Sequence, residues 1–203
     1  MNLYLIRHAE PETLDYDNFF PGPNLGTKGH AQAKVIADYL HDKQITKIYS
    51  SDFRRVVQTM QPFLKLTSPH IQPSFVKALR EREASVESHA SLVERVQTWF
   101  QKIEHELTTY HVAIFSHCGP LNMILEYLDP DKNILDYPFT SPHGCHTPLA
   151  GIWMLRLEDE LKHGYQIQVS INVIMHSSLR SILAKGKNCN FKPCGLCHKP
   201  LHL

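Results

Sequence analysis

Two residue pairs in this sequence combine chemically active side chains with a position at the end of an apolar run. Arg7-His8 and Ser116-His117 each follow directly on four apolar residues. Arginine stays charged at any physiological pH and binds phosphate oxygens through parallel N–H donors. A neutral imidazole nitrogen is a competent nucleophile close to neutral pH. These residue types together point to phosphate chemistry.

The two apolar runs, residues 3–6 and 112–115, predict the elements that position these pairs. Runs without polar alternation are typical of strands buried on both faces of a parallel sheet. Parallel strands end at the same edge, where the ligands of open α/β folds bind. We therefore expect His8 and His117 to share one pocket despite their distance along the chain. A helix that begins near Asp52 brings further arginines to that edge, together with free backbone N–H groups that favour anions.

The remaining periodicity predicts strands and helices that alternate along the chain. We expect strands near residues 47–50, 75–79, 151–157 and 165–174, and helices near 27–40, 52–62, 88–107 and 120–128, with Ser51 or Asp52 capping the second helix and Pro62 near its end. Alternation with long crossovers predicts an α/β three-layer sandwich, in which helices flank a mostly parallel central sheet. Residues 1–183 form the expected catalytic domain, and residues 184–203 an aperiodic Cys- and Lys-rich tail.

Composition restricts the classes of function. The 203 residues carry 21 basic and 20 acidic side chains, a net charge of +1, which argues against binding of nucleic acid. No stretch approaches the roughly 18 uninterrupted apolar residues of a membrane span, and no secretory signal is visible at the start. We therefore expect a cytoplasmic protein without membrane partners. Its five cysteines are then expected to be free thiols rather than a disulfide framework.

Several segments, in order along the chain, resemble those of the histidine phosphatase superfamily, the phosphoglycerate mutase-like proteins. The first, Leu-Ile-Arg-His-Ala-Glu at residues 5–10, is similar to the family's signature around its histidine. The others are residues 25–33, 50–59, 79–82, 87–96 and 115–119. The resemblance covers roughly residues 1–180 and is strongest to the small phosphatases of the family.

This resemblance implies a role for each matching residue. His8 would be the nucleophile that takes the phosphoryl group, and Arg7, Arg55 and His117 would hold the phosphate oxygens. Glu81 would donate the proton to the leaving group. Neither a metal nor another cofactor is implied, because cationic side chains supply the charge.

Alternatives remain for the arginine and for the acid. Arg54 lies beside Arg55 and is expected to face solvent instead. Glu81 lies within a charged run, so Glu83 or Glu10 could take its role.

Departures from the family pattern bear on the activity. Pro11 and Leu14 stand where the family often has Thr and Asn, so part of the usual phosphate pocket is missing. Only 35 residues separate Glu81 from His117, which predicts a small cap insertion and an open site. An open site favours a phosphatase acting on a phosphorylated small molecule or a phosphoprotein. A phosphoglycerate-type mutase, or a weakly active phosphate-binding interaction domain, is the alternative.

The cysteines suggest two further kinds of site. Cys118 beside His117 invites comparison with cysteine phosphatases, but their Cys-x5-Arg loop would need arginine at Ile124. In the tail, only one pair of cysteines has the spacing of a zinc knuckle, so a disordered or loosely docked tail is favoured over a zinc site. The tail residues concerned are Cys189, Cys194, Cys197 and His198.

Overall fold

The computed structural model describes residues 1–13, 19–67, 71–128, 146–158 and 166–171. Within these residues the strands are β1 (Asn2–Arg7), β2 (Lys47–Ser50), β3 (Ser74–Phe75), β4 (Val112–Ser116), β5 (Ile152–Glu158) and β6 (Gln166–Ile171). The helices are α1 (Thr27–Leu40), α2 (Arg54–Thr67), α3 (His89–Ile103) and α4 (Cys118–Leu128).

A single sheet joins the described strands in the order β3-β2-β4-β1-β5-β6. The first four strands of that order are mutually parallel, whereas β5 and β6 run antiparallel to their neighbours. The two apolar runs found in the sequence, in β1 and β4, are adjacent at the centre of the sheet. Their carboxyl ends therefore lie side by side, as the pattern predicts.

Side chains alternate between the two faces of the sheet, and each face has its own apolar core. From β1, Tyr4 and Ile6 pack in one core with α1 and α2, while Leu3 and Leu5 pack in the other with α3 and α4. A strand buried on both faces needs an apolar side chain at every position, which accounts for the uninterrupted runs. The predicted three-layer α/β sandwich with a mostly parallel sheet is confirmed.

The element boundaries differ from the sequence predictions in three places. The strand expected at 75–79 is wrong beyond Phe75: the chain turns into a short 3-10 helix, Lys77–Leu79, which brings Leu79 into the core. The long helix expected to reach residue 107 ends at Ile103 and continues as a 3-10 helix, Glu104–Thr108. Pro62 lies inside α2 rather than near its end: the helix continues past the backbone hydrogen bond that proline cannot donate, and the next residue, Phe63, is buried in the core.

Between Leu79 and α3 the chain makes only a short passage of turns, residues 80–88, in keeping with the small insertion expected there. The tail expected from residue 184 lies outside the described residues, so the division into a catalytic domain and a tail stays a prediction. None of the helices in the described part of the chain is both long and apolar enough to cross a membrane.

Replacement of a residue at the centre of the sheet should test this packing. Ile114 is fully buried in β4, opposite Leu5 of β1 and Tyr49 of β2. We expect Ile114→Ala to lower the free energy of unfolding by about 2–5 kcal/mol, since the cavity cannot collapse between two paired strands. Urea denaturation measures the change, with Val35→Ala on the exposed side of α1 as the control, expected within about 0.5 kcal/mol of wild type. Equal stabilities of the two variants would contradict the assigned core.

Candidate active site

The strand register brings His8 and His117 together. Arg7 at the end of β1 pairs with Ser116 at the end of β4, so the two histidines follow at the same level of the sheet. The backbone N–H of His8 donates to the carbonyl of Ser116 over 3.0 Å. The two imidazole rings meet edge to face with their centroids 5.1 Å apart, and both are buried. The expectation that these residues share one site is therefore met in the structure.

Arg55 connects the two histidines. Its guanidinium is buried, donates from Nε to Nε2 of His8 over 3.2 Å, and donates from Nη2 to Nδ1 of His117 over 3.1 Å. Arg54, the alternative, is exposed on the outer side of α2. Of these two neighbouring arginines, Arg55 is thus the one that could bind a phosphate inside this pocket.

These contacts determine which nitrogen of each ring carries the proton, because a guanidinium can only donate. Nε2 of His8 presents a lone pair, and Nδ1–H donates to the Ala9 carbonyl over 2.8 Å. In His117 the lone pair is on Nδ1, and Nε2–H donates to the Ser51 hydroxyl over 3.0 Å. The lone pairs of both rings therefore point to the same guanidinium.

Burial and positive charge keep both imidazoles neutral. The pKa of His8 lies well below the usual value for histidine, first because the ring is desolvated and then because Arg55 and Arg7 are close. The pKa of His117 is also lowered well below that value, by desolvation, then by His8 and the same two arginines. A neutral His8 has a free electron pair over a wide range of pH.

Arg7 lies at the side of the pocket where β5 begins. Its Nη1 donates to the carbonyl of Thr147 over 2.8 Å, and the Thr147 hydroxyl accepts from the indole of Trp153 over 2.8 Å. The backbone of Ala150 donates to the carbonyl of His8. The residues just before β5 thus form one wall of the site.

Of the three carboxylates that the sequence offers as the acid, Glu81 lies against the residues that follow His117. A Cβ atom on Gly119, two residues after His117, would lie 2.5 Å from Oε1 of Glu81, so the carboxylate meets the start of α4. Glu10 instead pairs with Lys28 over 2.6 Å, and Glu83 contacts the hydroxyl of Ser85 in its own turn. The backbone N–H of Arg82 donates to Oε1 of Glu81 and orients the carboxylate.

Arg95 of α3 holds the segment that carries Glu81. Its guanidinium forms a bidentate ion pair with Glu87 and donates to the carbonyls of Ala78 and Arg80, at 2.6 and 2.9 Å. The segment lacks regular structure, so these contacts define its path. Sequence reasoning noted Arg95 only as part of a similar motif.

Sequence reasoning also missed three residues that support Arg55 and the histidines. Ser51 or Asp52 was expected to cap α2; instead the Ser51 hydroxyl accepts from His117 and from the N–H of Phe53, and α2 begins only at Arg54. Thr59 accepts from the N–H of Ala9 and donates to the carbonyl of Arg55. Gly22 adopts a left-handed φ of 77°, and a Cβ there would lie 2.5 Å from Nη1 of Arg55. A close approach of that kind leaves no periodic signal in a sequence.

Two expectations about the margins of the site have different outcomes. The expectation of free thiols is wrong at Cys118, which is disulfide-bonded to a cysteine outside the described residues. A disulfide sulfur cannot act as a thiolate nucleophile, so a cysteine phosphatase is excluded on a second ground. Pro11, at a position where the family often has a polar residue, is buried and pairs with Leu25, while Leu14 lies outside the described residues.

The sequence predicts no metal at this site, and it favours a tail without zinc over a zinc-binding tail. In the described ranges, no group of three or more His, Cys, Asp or Glu side chains could hold a metal ion. The cysteines and His198 of the tail lie outside those ranges.

A model of the histidine phosphatase superfamily (branch 1) matches residues 3–86 and 80–162 of this sequence. The chain belongs to that superfamily. The matched ranges contain every residue of the pocket described above, and the resemblance found in the sequence is confirmed. A search among curated proteins found no match.

Solved structures with the same fold include several phosphatases. A mycobacterial glucosyl-3-phosphoglycerate phosphatase is 15% identical with a TM-score of 0.61, over 84% of this chain and 97% of that one. The alpha-ribazole phosphatase of Shigella flexneri is 16% identical with a TM-score of 0.62, over 85% and 95%. YhfR of Bacillus stearothermophilus is 17% identical with a TM-score of 0.63, over 84% and 95%. At these identities the likeness shows that this superfamily member shares their fold.

The lowered pKa values of the buried histidines predict how stability depends on pH. Below about pH 6.5 an unfolded chain binds protons at these rings that the folded protein does not, so stability is complete above that pH and is lost as pH falls. Each ring adds up to about 1.4 kcal/mol per pH unit in this window. Urea unfolding between about pH 8 and pH 5 measures the slope. His8→Gln should reduce it, and an unchanged slope would contradict a neutral, buried His8.

Proposed function

We propose that this protein hydrolyses phosphate monoesters in two steps, through a phosphohistidine on His8. The observation that carries the proposal is the pair of hydrogen bonds from Arg55 to Nε2 of His8 and Nδ1 of His117. These bonds place the nucleophilic lone pair of His8 beside the buried guanidinium of Arg55. Membership of the histidine phosphatase superfamily supports the same chemistry.

In the first step, Nε2 of His8 attacks phosphorus and the bond from phosphorus to the ester oxygen breaks. The hydrogen bond from Nδ1 to the Ala9 carbonyl fixes the ring and stabilises the positive charge that develops on it. A phosphate dianion would take over the donors of Arg55 that now bind the two imidazoles. The incoming oxygens thus replace neutral acceptors with charged ones, and charge-assisted hydrogen bonds are the stronger kind.

Charge on the transferred group would be stabilised by Arg55 and Arg7. His117 would add to this once Nδ1, which carries a lone pair in this structure, takes up a proton and donates it to a phosphate oxygen. The transition state of phosphoryl transfer is loose, with charge on the equatorial oxygens, so catalysis is mainly positioning and electrostatics. Both histidines are held from their far sides by Ala9 and Ser51, which leaves the facing nitrogens for substrate. Because these side chains are already positioned in the folded protein, few of them need to reorient during the reaction.

Glu81 would act as the acid and then as the base. Its protonated carboxyl gives a proton to the departing alkoxide, and the carboxylate then takes a proton from the water that attacks the phosphohistidine. Phosphate leaves and the neutral His8 is restored, so protons and bonds balance over the cycle. The carboxylate of Glu81 lies against Gly119 in the first turn of α4, which supports this role for Glu81 over Glu10 and Glu83.

The short passage at residues 80–88 supports hydrolysis rather than a mutase reaction. A mutase must retain its intermediate and exclude water, which takes a larger cover than this passage offers. The substrate is then a phosphorylated small molecule or a phosphoprotein. We also propose that this protein is located in the cytoplasm.

The nucleophile is tested with an alkyl phosphate and a chelator in the assay. We expect His8→Ala to abolish phosphate release, since it removes Nε2, the proposed nucleophile, while wild type stays active without added metal. Wild type stopped during turnover should carry acid-labile, base-stable phosphate that His8→Ala lacks. His30→Ala, an exposed histidine of α1, is the control and should behave as wild type. Turnover by His8→Ala would overturn the mechanism, and an isomerised product with no phosphate release would indicate a mutase.

The acid is tested by varying the leaving group. We expect Glu81→Gln to lower kcat/KM for an alkyl phosphate by about 10²–10⁴-fold, because the alkoxide needs a proton. The loss should be much smaller for nitrophenyl phosphate, whose leaving group departs as an anion. Glu83→Gln serves as the matched control and should leave both rates unchanged. A larger loss in Glu83→Gln would transfer the role to that residue.

A further inference from the structure

We propose that Phe20 forms a platform at the mouth of the site for a planar aromatic leaving group, so that the enzyme favours aryl phosphates over alkyl phosphates. The platform consists of Phe20, with Phe53 beneath it and Arg80 against its face. The inference rests on the proposed phosphatase function and names the class of substrate.

A continuous series of ring contacts leads from the histidines to the surface. His117 meets Phe53 edge to face at 4.9 Å between centroids, and Phe53 meets Phe20 edge to face at 5.3 Å. Phe53 is fully buried, whereas 48% of Phe20 is exposed. Phe20 is therefore where the aromatic wall of the pocket reaches solvent.

Arg80 holds the ring of Phe20 from one side. The guanidinium carbon lies 4.1 Å from the Phe20 centroid, a cation–π contact. Nε and Nη2 of Arg80 donate to the two carboxylate oxygens of Asp52 over 2.7 and 2.5 Å. A bidentate pair fixes the plane of the guanidinium, and the plane in turn orients the ring.

Phe20 is thus half exposed and yet held in one orientation, by Phe53 beneath it and Arg80 against its face. A ring that is already oriented loses less entropy when a ligand binds, so the contact yields more affinity. Only the ring of Phe53 separates Phe20 from His117 in this series of contacts, which places Phe20 near the pocket that would hold the phosphate.

Charge at the platform favours a neutral aromatic group over a second anion. Arg80 contacts the face of Phe20, but the Asp52 carboxylate already neutralises this guanidinium in a bidentate pair. Since the pair carries no net charge, a second phosphate or carboxylate of a substrate would find little attraction there. Arg80 also precedes Glu81, so the platform adjoins the residue that would protonate the leaving group.

Binding of two phosphonates tests the platform independently of turnover. Benzylphosphonate resembles phenyl phosphate but cannot be hydrolysed at phosphorus, and propylphosphonate has the same charge without a ring. We expect Phe20→Leu to weaken benzylphosphonate by about 2- to 10-fold, the range of one edge-to-face aromatic contact, and to change propylphosphonate much less. Phe20→Tyr should retain the preference. Calorimetric titration measures both ligands.

Phe75→Leu is the matched control, since Phe75 is an exposed phenylalanine on β3 outside the ring series. It should leave both affinities unchanged. In turnover, Phe20→Leu should raise KM for phenyl phosphate with little change in kcat, because the platform would bind substrate and transition state alike.

The possible failures can be told apart. Equal weakening of both phosphonates by Phe20→Leu, or loss of the preference in Phe20→Tyr, would overturn the platform and leave the phosphatase function standing. Selective binding of benzylphosphonate by a wild type that releases no phosphate from any ester would uphold the platform and overturn the proposed activity. No binding of either phosphonate would overturn both.

Discussion

A buried guanidinium that donates to two neutral imidazoles is the interaction on which the rest of this site depends. Arg55 would be costly to bury in an apolar core, and it is accommodated here because His8 and His117 offer lone pairs to its donors. The arrangement requires that each ring keep its proton on the far nitrogen, where Ala9 and Ser51 accept it. Desolvation and the arginines enforce the neutral state that this arrangement needs.

The surrounding fold meets this constraint with two central strands and with a helix that packs on one face of the sheet. β1 and β4 supply the histidines at matched register, and α2 supplies Arg55 from the layer formed with α1. Thr59 links the backbone of α2 to Ala9, so the helix and the strand end are held at a fixed separation. Gly22 lets the preceding loop approach Arg55 more closely than any other residue would allow.

Much of this arrangement follows from the sequence, and the remainder does not for identifiable reasons. Uninterrupted apolar runs predict buried parallel strands, and the carboxyl ends of such strands lie at one edge of the sheet. The sequence alone therefore predicts that His8 and His117 share a pocket. The choice of Glu81 over Glu10 and Glu83 depends on the path of an irregular segment, which Arg95 determines through contacts with backbone carbonyls. Contacts of that kind leave no period in a sequence. The disulfide at Cys118 likewise depends on which segments meet in space.

The anchoring of the Glu81 segment to α3 has a consequence for how such an enzyme can change. Arg55 is held by the layer of α1 and α2, whereas the carboxylate is held through Arg95 by the layer of α3 and α4. In the proposed mechanism, the arginine that would bind phosphate and the carboxylate that would protonate the leaving group are thus held by helices on opposite faces of the sheet. Substitutions on the face of α3 and α4 could then alter which leaving groups are accepted without moving Arg55. That separation gives a single scaffold a physical route to many substrates.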